Sequence, residues 1–284
     1  MNKTRERTRK RYTSPTAAAP VVVGFDGADG GRDALELART LGEIRGTRCV
    51  VAVPRLDGLG GEARAALEDP DAEVREIGVL SPADMLMRLA EREHAGTLVV
   101  GASRADRLER AIIRTTAERL LRHAPCEVVV APRGYAAKRH RRYAKIAVAV
   151  DGTPESKVAL SRAEDLARQA GAAIEVLVAD DPVVAGIQAE FPHDAPPSLA
   201  KVLEAAVGSV DPKLSPTGKR VDAGWQQIAR TVAAALAAAC GPDVDLLVTG
   251  SRRPIEHFLA GSVTGHLVNE SACPVLVVPN QRKV

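Results

Sequence analysis

The sequence predicts an α/β protein built from two tandem domains, each an open parallel sheet with helices on both faces. The first observation is an internal repeat: VVVGFDG at residues 21–27 returns as IAVAVDG at residues 146–152, which places Asp26 over Asp151. Likewise, TLVVGAS at 97–103 returns as LLVTGSR at 246–252. The second observation is the composition, because 45% of the residues are apolar and only 2% are aromatic. A core of Val, Leu, Ile and Ala is typical of helices packed on a parallel sheet.

The length of the repeat predicts the domain organisation. Corresponding segments lie about 125–150 residues apart, which is too long for a solenoid and fits two copies of a whole domain. We therefore expect a basic tail over residues 1–19, a first domain over 20–132, a basic linker over 133–144 and a second domain over 145–284.

The first copy alternates strands with helices. Apolar runs bounded by turn residues predict strands, and Ala-Leu stripes at helical spacing predict helices. Gly46 has the position of a helix C-cap, and Ser81 with Pro82 has the chemistry of a helix start. The predicted strands are 21–25, 49–53, 74–79, 97–100 and 128–131, and the predicted helices are 33–45, a short one within 56–71, 83–94 and 110–123.

The second copy follows the same order, which implies βαβ units in a parallel sheet. Residues 180–221 are longer than their counterpart and rich in proline, so we expect one helix at 198–208 and otherwise loop. The remaining predicted strands are 146–150, 174–178, 246–249 and 275–278, and the remaining predicted helices are 154–170 and 225–240.

The net charge of +3 is concentrated in two short segments, residues 1–12 and 133–145, and the rest of the chain is acidic. We interpret these segments as a solvated tail and a solvated linker, and we do not expect nucleic acid as a partner. No apolar run is long enough to span a membrane, and the basic amino terminus does not resemble a secretory signal. These features predict a cytoplasmic protein without a membrane partner.

The four cysteines show no CxxC spacing and no paired histidine, so no zinc site is expected. Each lies in an apolar context, which favours buried free thiols.

Small and polar residues follow the predicted strands of the second copy where a ligand would bind. In an open parallel sheet, ligands bind beyond the carboxyl ends of the strands. Asp151 follows the strand at 146–150 and can accept hydrogen bonds from a base or a sugar. Gly250 and Ser251 follow the strand at 246–249, which corresponds to the fourth strand of the first copy. Gly-Ser-Val at 261–263 then opens the last helix, whose amino-terminal N–H groups attract phosphate. The pattern predicts a mononucleotide site.

Two segments, 250–279 (GSRRPIEHFLAGSVTGHLVNESACPVLVVP) and 148–160 (VAVDGTPESKVAL), together resemble the universal stress protein family. The resemblance implies two tandem open parallel five-stranded sheets with helices on both faces. It further implies ATP binding through a Gly-x2-Gly-x9-Gly-Ser/Thr loop. It also implies that the domains pair through their last strands as an intramolecular pseudo-dimer. Whether the tandem chain then forms a homodimer stays open.

By the same resemblance, the nucleotide site of the second domain consists of Asp151, Gly152, Ala179, Gly250, Ser251, Arg252, Arg253, Gly261, Ser262 and Val263. The loop departs from the family pattern, because Arg253 stands where the second glycine is expected and the loop is two residues shorter. Arg252 or Arg253 could supply charge to the phosphates instead. The alternative is a strand-helix turn that keeps its glycine for geometry alone.

The loop of the first domain departs further from the pattern. Arg104 and Arg114 replace both later glycines, although Asp26 and Thr115 remain. A side chain at position 114 would stand where phosphate should lie against bare backbone. We therefore expect the first domain to be a structural partner.

These features predict a stress-response protein that binds ATP or another adenine nucleotide, mainly in the second domain, with Mg²⁺ as a companion of the nucleotide. Occupancy would then alter contacts with a protein partner. The alternative is a scaffold that binds no nucleotide and acts through protein–protein contacts. Slow ATP hydrolysis ranks third, because no base or metal-binding acid is apparent as part of the motif at residues 261–262. We assign no catalytic residue.

Overall fold

The computed structural model describes residues 19–55, 58–69, 72–78, 81–102, 110–138, 142–150, 153–178, 189–191, 233–234, 236–238, 240–251 and 263–279. The first half contains β1 (Val21–Gly24), α1 (Asp29–Arg45), β2 (Cys49–Pro54), α2 (Leu59–Leu67), β3 (Glu73–Ile77), α3 (Pro82–Arg92), β4 (Thr97–Gly101), α4 (Arg110–His123) and β5 (Glu127–Ala131). A short 3-10 helix, Ala136–Lys138, follows. The second half contains β6 (Lys145–Val150), α5 (Pro154–Ala170), β7 (Ala173–Val178), β8 (Ala189–Phe191), β9 (Leu246–Ser251), α6 (Val263–Glu270) and β10 (Val275–Pro279).

The strands form one ten-stranded sheet in the order β3-β2-β1-β4-β5-β10-β9-β6-β7-β8. Neighbouring strands run parallel except at two places, where β5 pairs with β10 and β7 pairs with β8. The predicted α/β fold class is confirmed. The two five-stranded halves join edge to edge through β5 and β10, with Val129 opposite Leu276. This antiparallel junction, called the seam below, is the expected pairing of last strands.

The repeat in the sequence returns as a repeat in local geometry. Helices α1 and α5 both end on a glycine in the left-handed conformation, with φ of 60° at Gly46 and 68° at Gly171. Glycine adopts this conformation without steric cost, which is why it commonly ends helices. The predicted C-cap at Gly46 is therefore confirmed.

The apolar core lies on both faces of the sheet. Because side chains alternate along a strand, Val21 and Val23 belong to the cluster under α1 and α5, whereas Val22 belongs to the cluster under α3 and α4. Both clusters cross the seam without interruption, since each contains strand residues from both halves.

Three details differ from the sequence predictions. A short strand, β8, pairs antiparallel with β7 within the segment expected to be loop. Ser81 does not cap α3: its hydroxyl donates to the Asp84 carboxylate, which lowers the pKa of Asp84, instead of accepting a backbone N–H. The predicted helix at 198–208 lies outside the described residues, and of the predicted helix at 225–240 the structure describes helical residues at 233–234 and 236–238.

The linker is packed against the first half rather than fully solvated. Its charged residues Arg133, Lys138 and Arg142 are exposed, as expected, but Tyr135 and Tyr143 are buried. The two phenol oxygens lie 3.4 Å apart. The buried carboxylate of Asp33 in α1 accepts hydrogen bonds from the Gly134 and Ala136 amides, both at 2.9 Å.

A buried carboxylate joins the two halves beside the seam. The side chain of Glu127, at the start of β5, is 0% exposed and lies between two buried arginines. Arg45, the last residue of α1, approaches it at 3.1 Å, and Arg162 of α5 approaches its two oxygens at 2.5 and 3.2 Å. Thr97 of β4 donates a further hydrogen bond to it at 3.2 Å. The group thus ties α1 to α5 through one residue of β5, and we call it the Glu127 cluster.

We expect Glu127→Gln to lower the free energy of unfolding by about 3–5 kcal/mol, because it removes the negative charge that two buried guanidinium groups share. Asp165→Asn is the matched control: it breaks the exposed ion pair between Asp165 and Arg168 on α5, which should cost about 0–1 kcal/mol. Urea unfolding measures both. Equal losses for the two variants would contradict a stabilising role for the Glu127 cluster.

The buried tyrosines should make stability fall at alkaline pH. Burial raises the pKa of Tyr135 to about 12 and raises the pKa of Tyr143 well above its usual value. In the unfolded chain both titrate near pH 10. Because the folded protein holds these protons more tightly, their stabilising contribution is complete below about pH 10 and is lost as the pH rises through about 12.

This decline is measured by urea unfolding at about pH 9 and about pH 11. The double variant Tyr135→Phe, Tyr143→Phe should lose less stability across that interval than the natural protein. If both proteins decline in parallel, other groups cause the alkaline loss.

Candidate functional site

The candidate site is the edge of the sheet where β6 and β9 end and α5 begins. Thr153 caps α5: its hydroxyl accepts a hydrogen bond from the Ser156 amide at 3.3 Å, and the Ser156 hydroxyl donates to the Thr153 carbonyl at 2.9 Å. Pro154 follows as the first helical residue, where its missing N–H costs nothing. These local bonds fix where α5 starts relative to the end of β6.

Gly250 is where β9 comes closest to α5. A Cβ atom at this position would lie 2.6 Å from the carbonyl oxygen of Glu155 in the first turn of α5. Backbone atoms have little room to give way, so only glycine fits here without displacing the strand or the helix. Gly250 therefore has a packing role that is independent of any ligand.

The last helix begins directly above this point. The Thr264 hydroxyl donates to the Gly250 carbonyl at 3.4 Å, which ties the first turn of α6 to the carboxyl end of β9. Val263, the first residue of α6, packs against the core with a partly buried side chain. The first turn of α6 consequently lies at the same edge of the sheet as Gly250.

Ser251 carries the one chemically unexplained group at this edge among the described residues. Its side chain is 1% exposed, and its hydroxyl oxygen has no hydrogen-bond partner. It lies on the same face of β9 as Leu247 and Thr249, the face that α6 covers with Leu267. A buried hydroxyl without a partner is destabilising, so this group indicates a place where a ligand or a water molecule could bind.

The structure brings together three of the ten residues predicted for the site, namely Gly250, Ser251 and Val263. The other seven, Asp151, Gly152, Ala179, Arg252, Arg253, Gly261 and Ser262, lie outside the described residues. Sequence reasoning missed the contributions of Thr153, Glu155 and Thr264. A Thr-Pro pair at the start of a helix and a threonine in the first turn of the last helix were the available signals for two of them. The contact of Glu155 is made by its backbone and has no signal in the sequence.

The first half contains the same backbone contact. A Cβ atom at Gly101, which corresponds to Gly250, would lie 1.9 Å from the carbonyl oxygen of Gly30 in α1. Asp26, which corresponds to Asp151, accepts a hydrogen bond from the Ala28 amide at 3.1 Å and so binds its own turn. The side chains of Arg104, Arg114 and Thr115 lie outside the described residues.

No group of three or more His, Cys, Asp and Glu side chains in the described part of the chain could hold a metal ion. Within the same residues, no helix is long and apolar enough to cross a membrane. An open cavity lies at the amino ends of β2 and β3 and is lined by Arg39, Arg48 and Cys49, among others. Both arginines are already held by carboxylates there, so the cavity indicates no binding chemistry.

The fold and this site define the class of protein as a doubly wound α/β protein of two repeated halves. In each half, a strand end, a glycine in close backbone contact and a helix start lie at the same edge of the half-sheet. The profile of the universal stress protein family matches residues 52–132 and 142–279. The chain therefore belongs to the universal stress protein family.

Solved structures agree with this assignment at the level of the fold. A protein of unknown function from Pseudomonas aeruginosa PAO1 is 18% identical, with 94% of each chain covered and a TM-score of 0.59. A universal stress protein from Archaeoglobus fulgidus DSM 4304 is 12% identical, with 92% of this chain and 96% of that chain covered and a TM-score of 0.57. Comparison with curated proteins gives no significant match.

The packing role of Gly250 can be tested without a ligand. We expect Gly250→Ala to lower the free energy of unfolding by about 1–3 kcal/mol through overpacking, and Gly101→Ala to cost more because its clash is closer. Gly61→Ala is the control: it is an exposed helical glycine with nothing within 4 Å of its new Cβ, and it should gain about 0.5–1 kcal/mol. Denaturant unfolding of the three variants measures these changes in stability. A Gly250→Ala variant as stable as the natural protein would refute the backbone contact.

Proposed function

We propose that this protein is a stress-response protein that binds ATP or a related adenine nucleotide at the carboxyl edge of its second half. The observation that supports the proposal most is the hydrogen bond from Thr264 to the Gly250 carbonyl, which keeps the start of α6 at the end of β9. Residues 261–262, the Gly-Ser pair of the sequence motif, immediately precede that helix start. A helix amino terminus offers free N–H groups and a partial positive charge to phosphate.

The buried hydroxyl of Ser251 supports the same proposal independently. It lies at the carboxyl end of β9 on the face that α6 covers, and it has no partner among the described residues. A nucleotide oxygen bound there would satisfy a group that is otherwise costly to bury. Asp151, Ala179, Arg252 and Arg253 would complete the site, and Mg²⁺ would accompany the nucleotide as its counterion.

A scaffold without a nucleotide is the second candidate function, and one observation favours it. Gly101 and Gly250 make the same close backbone contact in both halves, although the loop of the first half has lost its later glycines. The first glycine of the motif is therefore explained by packing alone. In either case we propose domains over residues 20–132 and 145–284, a cytoplasmic location and a protein partner.

Thermal shift or calorimetry with ATP, ADP, AMP and cyclic AMP, each with and without Mg²⁺, separates the two functions. A nucleotide present at about 100–1,000 times its dissociation constant should stabilise the protein by roughly 2–4 kcal/mol. Gly261→Leu should abolish the shift, whereas Thr115→Leu in the corresponding loop of the first half should leave it unchanged. If none of the four nucleotides stabilises the protein, the scaffold remains as the function. If Thr115→Leu alone abolishes the shift, the nucleotide site lies in the first half.

Ser251→Ala gives a second measure within the same experiment. If the hydroxyl binds the nucleotide, its loss should weaken affinity by about 5–10-fold, as expected for one hydrogen bond. The melting temperature without nucleotide checks that each variant is folded. Unchanged affinity together with higher stability would mean that Ser251 is only a buried, unsatisfied group.

A further inference from the structure

Two of the four cysteines lie side by side in the second half. Cys240 and Cys273 are each 6% exposed and belong to the same core cluster. Cys240 lies on the segment that enters β9, and Cys273 lies two residues before β10. Because β9 and β10 are parallel neighbours, with Leu247 opposite Val275, both cysteines reach the same edge of the sheet. Their thiols are close enough to form a hydrogen bond.

The two thiols have unequal surroundings. The Ser271 hydroxyl lies 3.3 Å from the Cys273 sulfur and also accepts a hydrogen bond from the Cys273 amide at 3.3 Å. The hydrogen bond with Cys240, followed by that with Ser271, lowers the pKa of Cys273. The same contact with Cys273, together with burial, raises the pKa of Cys240. Cys273 is thus the more acidic of the two thiols.

The other two cysteines are placed differently. Cys49 packs against the cluster on the opposite face of the sheet, and its sulfur donates to the Ala38 carbonyl at 3.1 Å. Cys126 precedes β5 as Cys273 precedes β10, but these two strands are antiparallel, so the two cysteines lie at opposite ends of the seam. Among the described cysteines, Cys240 and Cys273 therefore form the pair that a disulfide could join without rebuilding the sheet.

We propose that Cys240 and Cys273 are a reversible oxidation site that forms a disulfide in the presence of a peroxide. The Cys273 thiolate attacks one peroxide oxygen, so that an S–O bond forms, the O–O bond breaks and the leaving oxygen departs as water after taking up a proton. The Cys240 sulfur then attacks the Cys273 sulfur, so that the S–S bond forms and the S–O bond breaks. The proton of Cys240 leaves with the second oxygen as water. Two thiols lose two electrons in total, and the peroxide is reduced to two waters.

The burial of both sulfurs selects the oxidant by size. Because both residues are 6% exposed, we expect a small peroxide to reach the sulfurs and a large disulfide such as oxidised glutathione to be excluded. A disulfide would join the segment before β9 to the segment before β10 at the edge opposite the candidate nucleotide site.

The test treats the folded full-length protein with hydrogen peroxide and then blocks, unfolds and maps its thiols by mass spectrometry. We expect a mass lower by two hydrogen atoms, two of the four thiols unreactive until a reductant is added, and a cross-linked peptide pair containing Cys240 and Cys273. Oxidised glutathione should produce none of these changes. Peptide mapping of the natural protein avoids dependence on how any variant folds.

Two variants sharpen the result. Cys240→Ser should stop the disulfide and leave a sulfenic acid on Cys273 that a dimedone probe traps. The matched control Cys126→Ser removes the equivalent cysteine of the first half and should leave the disulfide yield unchanged. Four reactive thiols after peroxide, a disulfide between any other pair, or irreversible oxidation of Cys273 in the natural protein would each overturn the proposal.

Discussion

The carboxylate of Glu127 is the contact on which the relation between the two halves depends. It lies at the start of β5, the strand that pairs with β10, and it binds Arg45 of the first half and Arg162 of the second half at once. Ion pairs buried this deeply are costly to assemble, because each charge must lose its water. They also discriminate strongly among arrangements, because any other pairing of the halves would leave a charge buried alone.

The Glu127 cluster is asymmetric, although the chain is a repeat. The residue that corresponds to Glu127 is Pro274, just before β10, and the residue of α1 that corresponds to Arg162 is Leu37. A pair formed by two copies of either half would therefore lack the cluster. Helices α1 and α5 each begin at the carboxyl edge of their own half-sheet, and the Glu127 cluster joins the last residue of α1 to the middle of α5.

The close contacts of Gly101 and Gly250 change how the sequence motif should be understood. In each half, the glycine at the end of the fourth strand packs against the backbone of the first helix. This contact is needed to build the edge, whether or not a ligand binds there. A binding edge is therefore distinguished from a merely well-packed edge by the later residues of the loop motif. Polar groups that packing leaves unsatisfied, such as Ser251, distinguish it as well.

Local and periodic signals predicted most of the fold. The strands other than β8, together with α5 and the left-handed end of α1 at Gly46, depend on nearby residues, and the repeat supplied most of these predictions twice. The sequence could not predict that Ser81 binds Asp84, that Tyr135 and Tyr143 are buried, or that Glu127 meets Arg162. These contacts arise where distant segments meet, and they are set by burial rather than by spacing. At the candidate site, Gly250 and Ser251 lie at the carboxyl end of β9, and their role in binding stays a prediction. The backbone contact of Glu155 carries no side-chain signal in the sequence.

The seam has a consequence for how the protein behaves on dilution. Two separate chains that pair through their edge strands come apart when their concentration falls below the dissociation constant. Here β5 and β10 belong to one polypeptide, joined by a segment that Asp33 fastens to α1, so each strand meets its partner at a fixed effective concentration. The pairing is therefore independent of how much protein the cell contains. Both strands are also already occupied, so a second copy of the chain would have to bind through a different surface.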